Sequence, residues 1–168
     1  MRSAGSRGPG LPAGAPGAAD LIARLGMQPI DGEGGWWAPG PRTAGLSSIT
    51  VLLSNTPDGF SALHLLDIDE GWQWLGGADI TMLALRPDGT GERVRLASNA
   101  AQLVIPAGTW QGAATGGAWS LAACWCAPAF TPDCFTLGDR ARLCEDFPAY
   151  ADHITMLTRV RDIPQGAR

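Results

Sequence analysis

Two side chains in this 168-residue chain have the types and spacing for proton-transfer chemistry. His64 is one of only two histidines, and Glu70 follows it within the same short stretch. An imidazole with its ordinary pKa near ~6.5 takes or gives a proton at neutral pH. A nearby carboxylate either orients that ring or acts as its acid–base partner. The plainer alternative is an interior histidine held by hydrogen bonds beside a structural glutamate. An unusual aromatic set accompanies the pair, with seven tryptophans against a single tyrosine. Of these, Trp36, Trp37, Trp72 and Trp74 are candidates to stack on a ligand. The second histidine, His153, reads as a surface residue of the C-terminal tail.

The four cysteines, Cys124, Cys126, Cys134 and Cys144, do not offer a metal centre. Their spacing lacks the paired C-x-x-C of structural zinc sites, and no histidine lies nearby. Cys124 and Cys126 stand two apart in an apolar run, which puts them on one face of a strand. They read as small buried residues rather than a redox pair.

The elements that must position these groups are short strands. SSITVLLS (47–54), SALHLLDI (61–68), WQWL (72–75), ITMLALR (80–86), ERVRLA (92–97), QLVI (102–105), TWQGAA (109–114) and WSLAACWCA (119–127) alternate with turn chemistry. Pro87-Asp88-Gly89 is a hairpin signal, since proline presets φ and glycine tolerates positive φ. Short strands at regular spacing without crossover helices predict a sandwich or closed barrel. A short helix is expected at about 18–26, from Asp20 near its start to Gly26 at its stop. DGEGGWWAPGPRT after it reads as a Gly- and Pro-broken segment. From Asp139 the apolar residues Leu143, Phe147, Tyr150, Ile154 and Leu157 return to helical spacing, interrupted by Pro148. This tail is expected to pack across the outside of the barrel. We expect residues 1–17 to be a disordered extension, 18–160 a single domain and 161–168 a tail.

Composition narrows the function classes. The formal charge is −4, and no cluster of arginines forms the basic stripe that nucleic acid requires. No run approaches the ~18–20 apolar residues of a membrane span, and the N-terminus lacks the apolar core of a secretory signal. These features predict a cytoplasmic protein with neither nucleic acid nor membrane as partner.

The motifs resemble a known family. Gly59, His64, Leu66, Glu70 and Gly77 follow the spacing of the first cupin motif, and Pro106-Ala107-Gly108-Thr109-Trp110-Gln111 that of the second. EGGWW (33–37) with Arg42, FSALHLLDIDEGWQW (60–74), IPAGTWQ (105–111), the Ala-Pro-x-Phe of 127–130 and the Asp-Arg with later Phe-Pro of 139–148 are similar to the Cupin_5 family. The resemblance spans about residues 20–158. It implies an all-β fold, a cupin-type double-stranded β-helix or jelly-roll barrel with a short N-terminal helix and a helical C-terminal tail, assembled as a homodimer. The family itself is poorly defined in function.

The resemblance also implies where the ligand sits. The four positions that usually bind metal in cupins read His64, Leu66, Glu70 and Gln111 here. Leucine donates nothing and an amide oxygen is a weak ligand, so no metal and no cofactor are expected. Gln73 stands where the family has a second pocket histidine, and Pro39 and Pro41 replace its Glu and Tyr. By analogy with the ligand positions, Gln73 and Gln111 are expected inside, with the tryptophans packed between sheets or at the dimer interface. Glu33, from the Glu-Gly-Gly opening, joins Gln73, Gln111 and the four tryptophans as a substrate-binding candidate. His64 and Glu70 are the catalytic candidates. The expected function is a metal-independent enzyme moving a proton on a small apolar or aromatic metabolite. Isomerisation, epimerisation, cyclisation and elimination (lyase chemistry) all fit, in a specialised biosynthetic role. The alternative is a cupin that binds such a molecule without transforming it.

Overall fold

The structure is a computed structural model that describes residues 16–159. The expectations for 1–15 and 160–168 fall outside the described residues. Among the described residues, eleven strands form two antiparallel sheets. In chain order they are β1 (Gln28–Pro29), β2 (Trp36–Arg42), β3 (Ser47–Ser54), β4 (Ser61–Leu66), β5 (Asp69–Gly77), β6 (Ile80–Leu85), β7 (Gly91–Leu96), β8 (Gln102–Ile105), β9 (Trp110–Thr115), β10 (Trp119–Ala127) and β11 (Phe135–Leu137). The first sheet runs β1-β2-β3-β10-β5-β8 and the second β11-β4-β9-β6-β7. This is the jelly roll expected from the motifs.

Alternation within the strands decides what each face does. Val51 and Leu53 of β3, Trp72 of β5, Ile80, Met82 and Ala84 of β6, and Ala122 and Cys124 of β10 pack between the sheets. The intervening residues face outward and are covered separately. Leu52, Ala38 and Trp119 meet Leu21 of helix α1 (Ala18–Leu25). Leu63, Leu83 and Leu85 meet Leu143, Phe147, Ile154 and Leu157 of the tail. The helical tail therefore lies on the outer face of the second sheet, as its spacing predicts.

Local chemistry sets the helix ends. The Asp20 carboxylate accepts from Gly17 N at 3.1 Å, and Gly26 closes α1 at φ 60°. Asp139 caps α2 (Arg140–Asp146) by accepting from Arg142 N at 3.0 Å. Pro148 ends that helix and opens a single 3₁₀ turn, after which α3 (Ala151–Met156) resumes.

The segment read as Gly- and Pro-broken holds a strand. β2 contains Pro39, Gly40 and Pro41, yet pairs with β3 through Trp36, Trp37, Ala38 and Pro39, slips, and pairs again at Arg42. Proline survives there because β1 reaches only Trp36 and Trp37, leaving the rest of that side unpaired.

Candidate functional site

Beside the inter-sheet core lies a cavity of about 640 Å³. Its walls are mostly apolar, with Trp37, Ile49, Val51, Leu66, Trp72, Phe130 and Phe135 among them. At its inner end, three ionisable side chains meet: Glu33, His64 and Glu70. Each is placed by a different device. β4, past an irregularity between Ser61 and His64, turns His64 inward with Leu66. β5 alternation does the same for Glu70 and Trp72. Glu33 sits in a loop fixed by two glycines, Gly34 at φ 97° and Gly35 at φ 72°. A Cβ on Gly34 would fall 2.6 Å from the Phe60 carbonyl oxygen, so only glycine fits. Gly34 N donates to Ile30 O and Gly35 N to Asp58 O, each at 2.8 Å, which locks the loop.

The imidazole is buried between the two carboxylates. His64 Nδ1 lies 2.8 Å from the Ala62 carbonyl oxygen. A carbonyl only accepts, so this nitrogen carries a proton. The same nitrogen is 3.8 Å from Glu33 Oε1, and Nε2 is 3.8 Å from Glu70 Oε2. Phe135 stacks on the ring at 5.2 Å between centroids. Burial pulls the imidazole pKa down, but the Glu33 carboxylate, then Glu70 and the Ala62 carbonyl, outweigh it and push it up to about 9. Burial is the largest influence on Glu33 and raises its pKa, with the His64 charge and the Ser61 hydroxyl offsetting part of the rise. Both carboxylates thus favour the protonated imidazole, against the pull of burial.

Gln111 and Trp72 hold Glu70 in place. Gln111 Nε2 donates to Glu70 Oε2 at 2.7 Å, and Trp72 Nε1 donates to Gln111 Oε1 at 3.1 Å. Ser61 Oγ donates to Glu33 Oε1 at 2.7 Å. Gln111 is inside, as expected, but acts as a buried brace and does not line the cavity wall. Gln73 is exposed on the outer face of the first sheet, not inside. The pairing of β5 with β8 runs without a slip from Glu70 to Gln73, so residues three apart must face opposite ways. Trp72, one of the four tryptophans named as substrate-binding candidates, lines the cavity.

The other tryptophans divide. Trp37 lines the cavity, while its neighbour Trp36 packs outside with the α1 cluster. Trp74 packs against the inter-sheet core and donates from Nε1 to the Ala78 carbonyl oxygen at 2.9 Å. Cys124 and Cys126 share a face, as expected, and that face borders the cavity. Burial raises both thiols, Cys126 to about 12 and Cys124 well above the ordinary range, so neither is a nucleophile at neutral pH. Sequence reasoning did not single out Phe130, Phe135, Ser61 or Asp31. Phe130 stood within a family motif, whereas Phe135 carried no signal of its own.

The donor set does not fit the metal that cupins commonly hold. Leu66 offers no ligand, and the Gln111 oxygen is already committed to Trp72. Among the described residues, no group of three or more His, Cys, Asp or Glu side chains is arranged to hold an ion.

Two antiparallel sheets in this order, with a motif histidine and glutamate at one end of the interior, define a cupin. The chain belongs to the Cupin_5 family, described as Cupin superfamily (DUF985), whose pattern matches residues 19–138. A protein of known structure from Shewanella oneidensis is 27% identical, with a TM-score of 0.79 over 86% of this chain and 98% of that one. A hypothetical protein from Leishmania major is 22% identical, with a TM-score of 0.79 over 86% of this chain and all of that one (100%). Oxalate decarboxylase from Bacillus subtilis shares the fold alone, at 11% identity and a TM-score of 0.56 over 78% of this chain and 37% of that one. No curated protein matches the chain. Among the described residues, no helix is long and apolar enough to cross a membrane.

Proposed function

We propose that this protein is an enzyme that moves a proton on a small, largely apolar or aromatic molecule without a metal. The observation that carries the reading is the buried His64 imidazole, set between Glu33 and Glu70 at the inner end of an apolar cavity. An imidazole whose protonated form is favoured, set beside two carboxylates, offers an acid and a base in one site. A cavity of about 640 Å³ suits one small molecule.

In the proposed step, a carboxylate takes a proton from carbon next to a carbonyl. The C–H electron pair moves into the carbonyl, and the oxygen is met by the N–H of His64. Return of the proton to the opposite face gives epimerisation, and its return to another atom gives isomerisation. Departure of a neighbouring group gives elimination, and attack of the new carbon nucleophile on a second carbonyl gives cyclisation. Burial raises the Glu33 pKa, which makes its carboxylate a stronger base than an exposed one. Gln111 and Trp72 keep Glu70 oriented.

The test is incubation in D₂O with a panel of small aromatic and apolar carbonyl compounds, read by mass spectrometry. One compound class should take up deuterium or convert to product. His64→Gln and Glu70→Gln should each slow this by about 10²–10⁴-fold. Saturable quenching of tryptophan fluorescence with no exchange in any compound would overturn the catalytic reading in favour of a binding protein.

A further inference from the structure

Resting on that reading, we propose that the substrate carries a carboxylate, and that Arg42 at the far side of the cavity binds it. Among the described residues, Arg42 is the only lysine or arginine lining the cavity. It is exposed, and no carboxylate lies within salt-bridge reach of it among the described residues. Its guanidinium is nonetheless held. Nη2 donates to the Phe130 carbonyl oxygen at 2.8 Å, and Phe130 N in turn donates to Ser47 Oγ at 2.8 Å. One of the five guanidinium N–H groups is used, which leaves enough for the paired hydrogen bonds that a carboxylate accepts.

Charge fixes which end of the substrate goes where. Glu33 and Glu70 at the inner end repel an anion, so an acid group enters last and stops at Arg42. Asp31 also borders the cavity but is exposed, and water screens it. The register sets the length. Arg42 pairs with Ser47, Ser47 with Cys126, and Cys126 with Glu70, in one row across the first sheet. Three strand spacings separate the ends of that row by about 14 Å. The arginine side chain covers part of this gap. The substrate then has its acid group several bonds from its reacting carbon, with an apolar or aromatic body lying along Trp37, Ile49 and Phe135.

Titration calorimetry with cinnamate, phenylacetate and naphthoate, each against its primary amide, tests the assignment. The acids should bind about tenfold more tightly than the amides. Arg42→Gln should erase that preference while melting like the parent, and Arg42→Lys should keep part of it. Acids and amides binding equally, or a preference that survives Arg42→Gln, would overturn the Arg42 assignment and leave the proton-transfer reading standing. Binding of neither series up to millimolar concentration would overturn both the assignment and the aromatic pocket.

Discussion

The two ends of the space between the sheets are built by the same strands with the same alternation, yet one is filled and the other hollow. At the filled end Leu53, Ile80, Met82, Leu96 and Ala113 close on one another. At the hollow end Glu33, His64, Glu70 and Trp72 face a cavity of about 640 Å³. The change takes only two residues along a strand. In β9, Gln111 braces the Glu70 carboxylate while Ala113 belongs to the apolar cluster. In β10, Ala122 is core while Cys124 and Cys126 border the cavity. Parity tells which side chains point inward, and their size and polarity decide whether the interior becomes core or pocket.

Substitutions at the two ends should therefore differ most in stability. Met82→Ala leaves a void among close-packed neighbours and should cost about 2–5 kcal/mol in chemical denaturation. Cys126→Ala enlarges a space already open and should cost about 1 kcal/mol or less. Equal losses would mean that the cavity end is packed as tightly as the other.

The pH dependence separates the ends next. The folded pKa of His64 is raised from 6.5 to about 9, so its contribution to stability is complete below 6.5 and is lost as pH rises through 9. The raised Glu33 pKa has the same sign, since a carboxyl that ionises later in the folded state also loses stability with rising pH. The unfolding free energy should fall between these pH values by an amount on the order of 3 kcal/mol, read as a lower melting temperature. His64→Gln should remove the part of that slope nearest pH 9. A melting temperature that stays flat across this window would contradict the arrangement of charges.

Donor chemistry gives a third contrast. Leu66→His with Gln111→His converts the inner end to three imidazoles and a carboxylate. That variant should hold a transition metal at least about a hundredfold more tightly than the parent, by equilibrium dialysis with metal analysis. Comparable retention by both proteins would mean that His64 and Glu70 already suffice. The smallest effect belongs to Gln73, which lies on the outer face. Gln73→Ala should change stability by less than about 0.5 kcal/mol and leave ligand quenching unaltered.

Much of this could be read in the residues. The eight strand runs from 47 to 127 carry their own alternation, and the structure keeps nearly the same bounds for seven, such as Ser47–Ser54 and Trp119–Ala127, while the run expected at 72–75 extends over Asp69–Gly77. β2 was hidden by Pro39, Gly40 and Pro41, because an open sheet side excuses the missing N–H groups and sequence does not show which side is open. β11, at Phe135–Leu137, is too short for any pattern. In the site, His64, Glu70 and Gln111 were legible because they sit at fixed motif spacings on strands. The inward placement of Gln73 conflicted with that of Glu70, since residues three apart in an unbroken strand face opposite ways. Alternation alone would have resolved the conflict in favour of Trp72. Glu33 lies in a loop with no periodicity, and its place beside His64 depends on the backbone path through Gly34 and Gly35.

With only two histidines in the chain, imidazole NMR across a pH series tests the central claim most directly. The His64 ring should carry both protons at neutral pH and titrate near 9, with Glu33→Gln lowering that midpoint. A His64 ring that is neutral at pH 7 and titrates at or below the ordinary 6.5 would contradict an imidazolium held between two carboxylates, and the proton-transfer site with it.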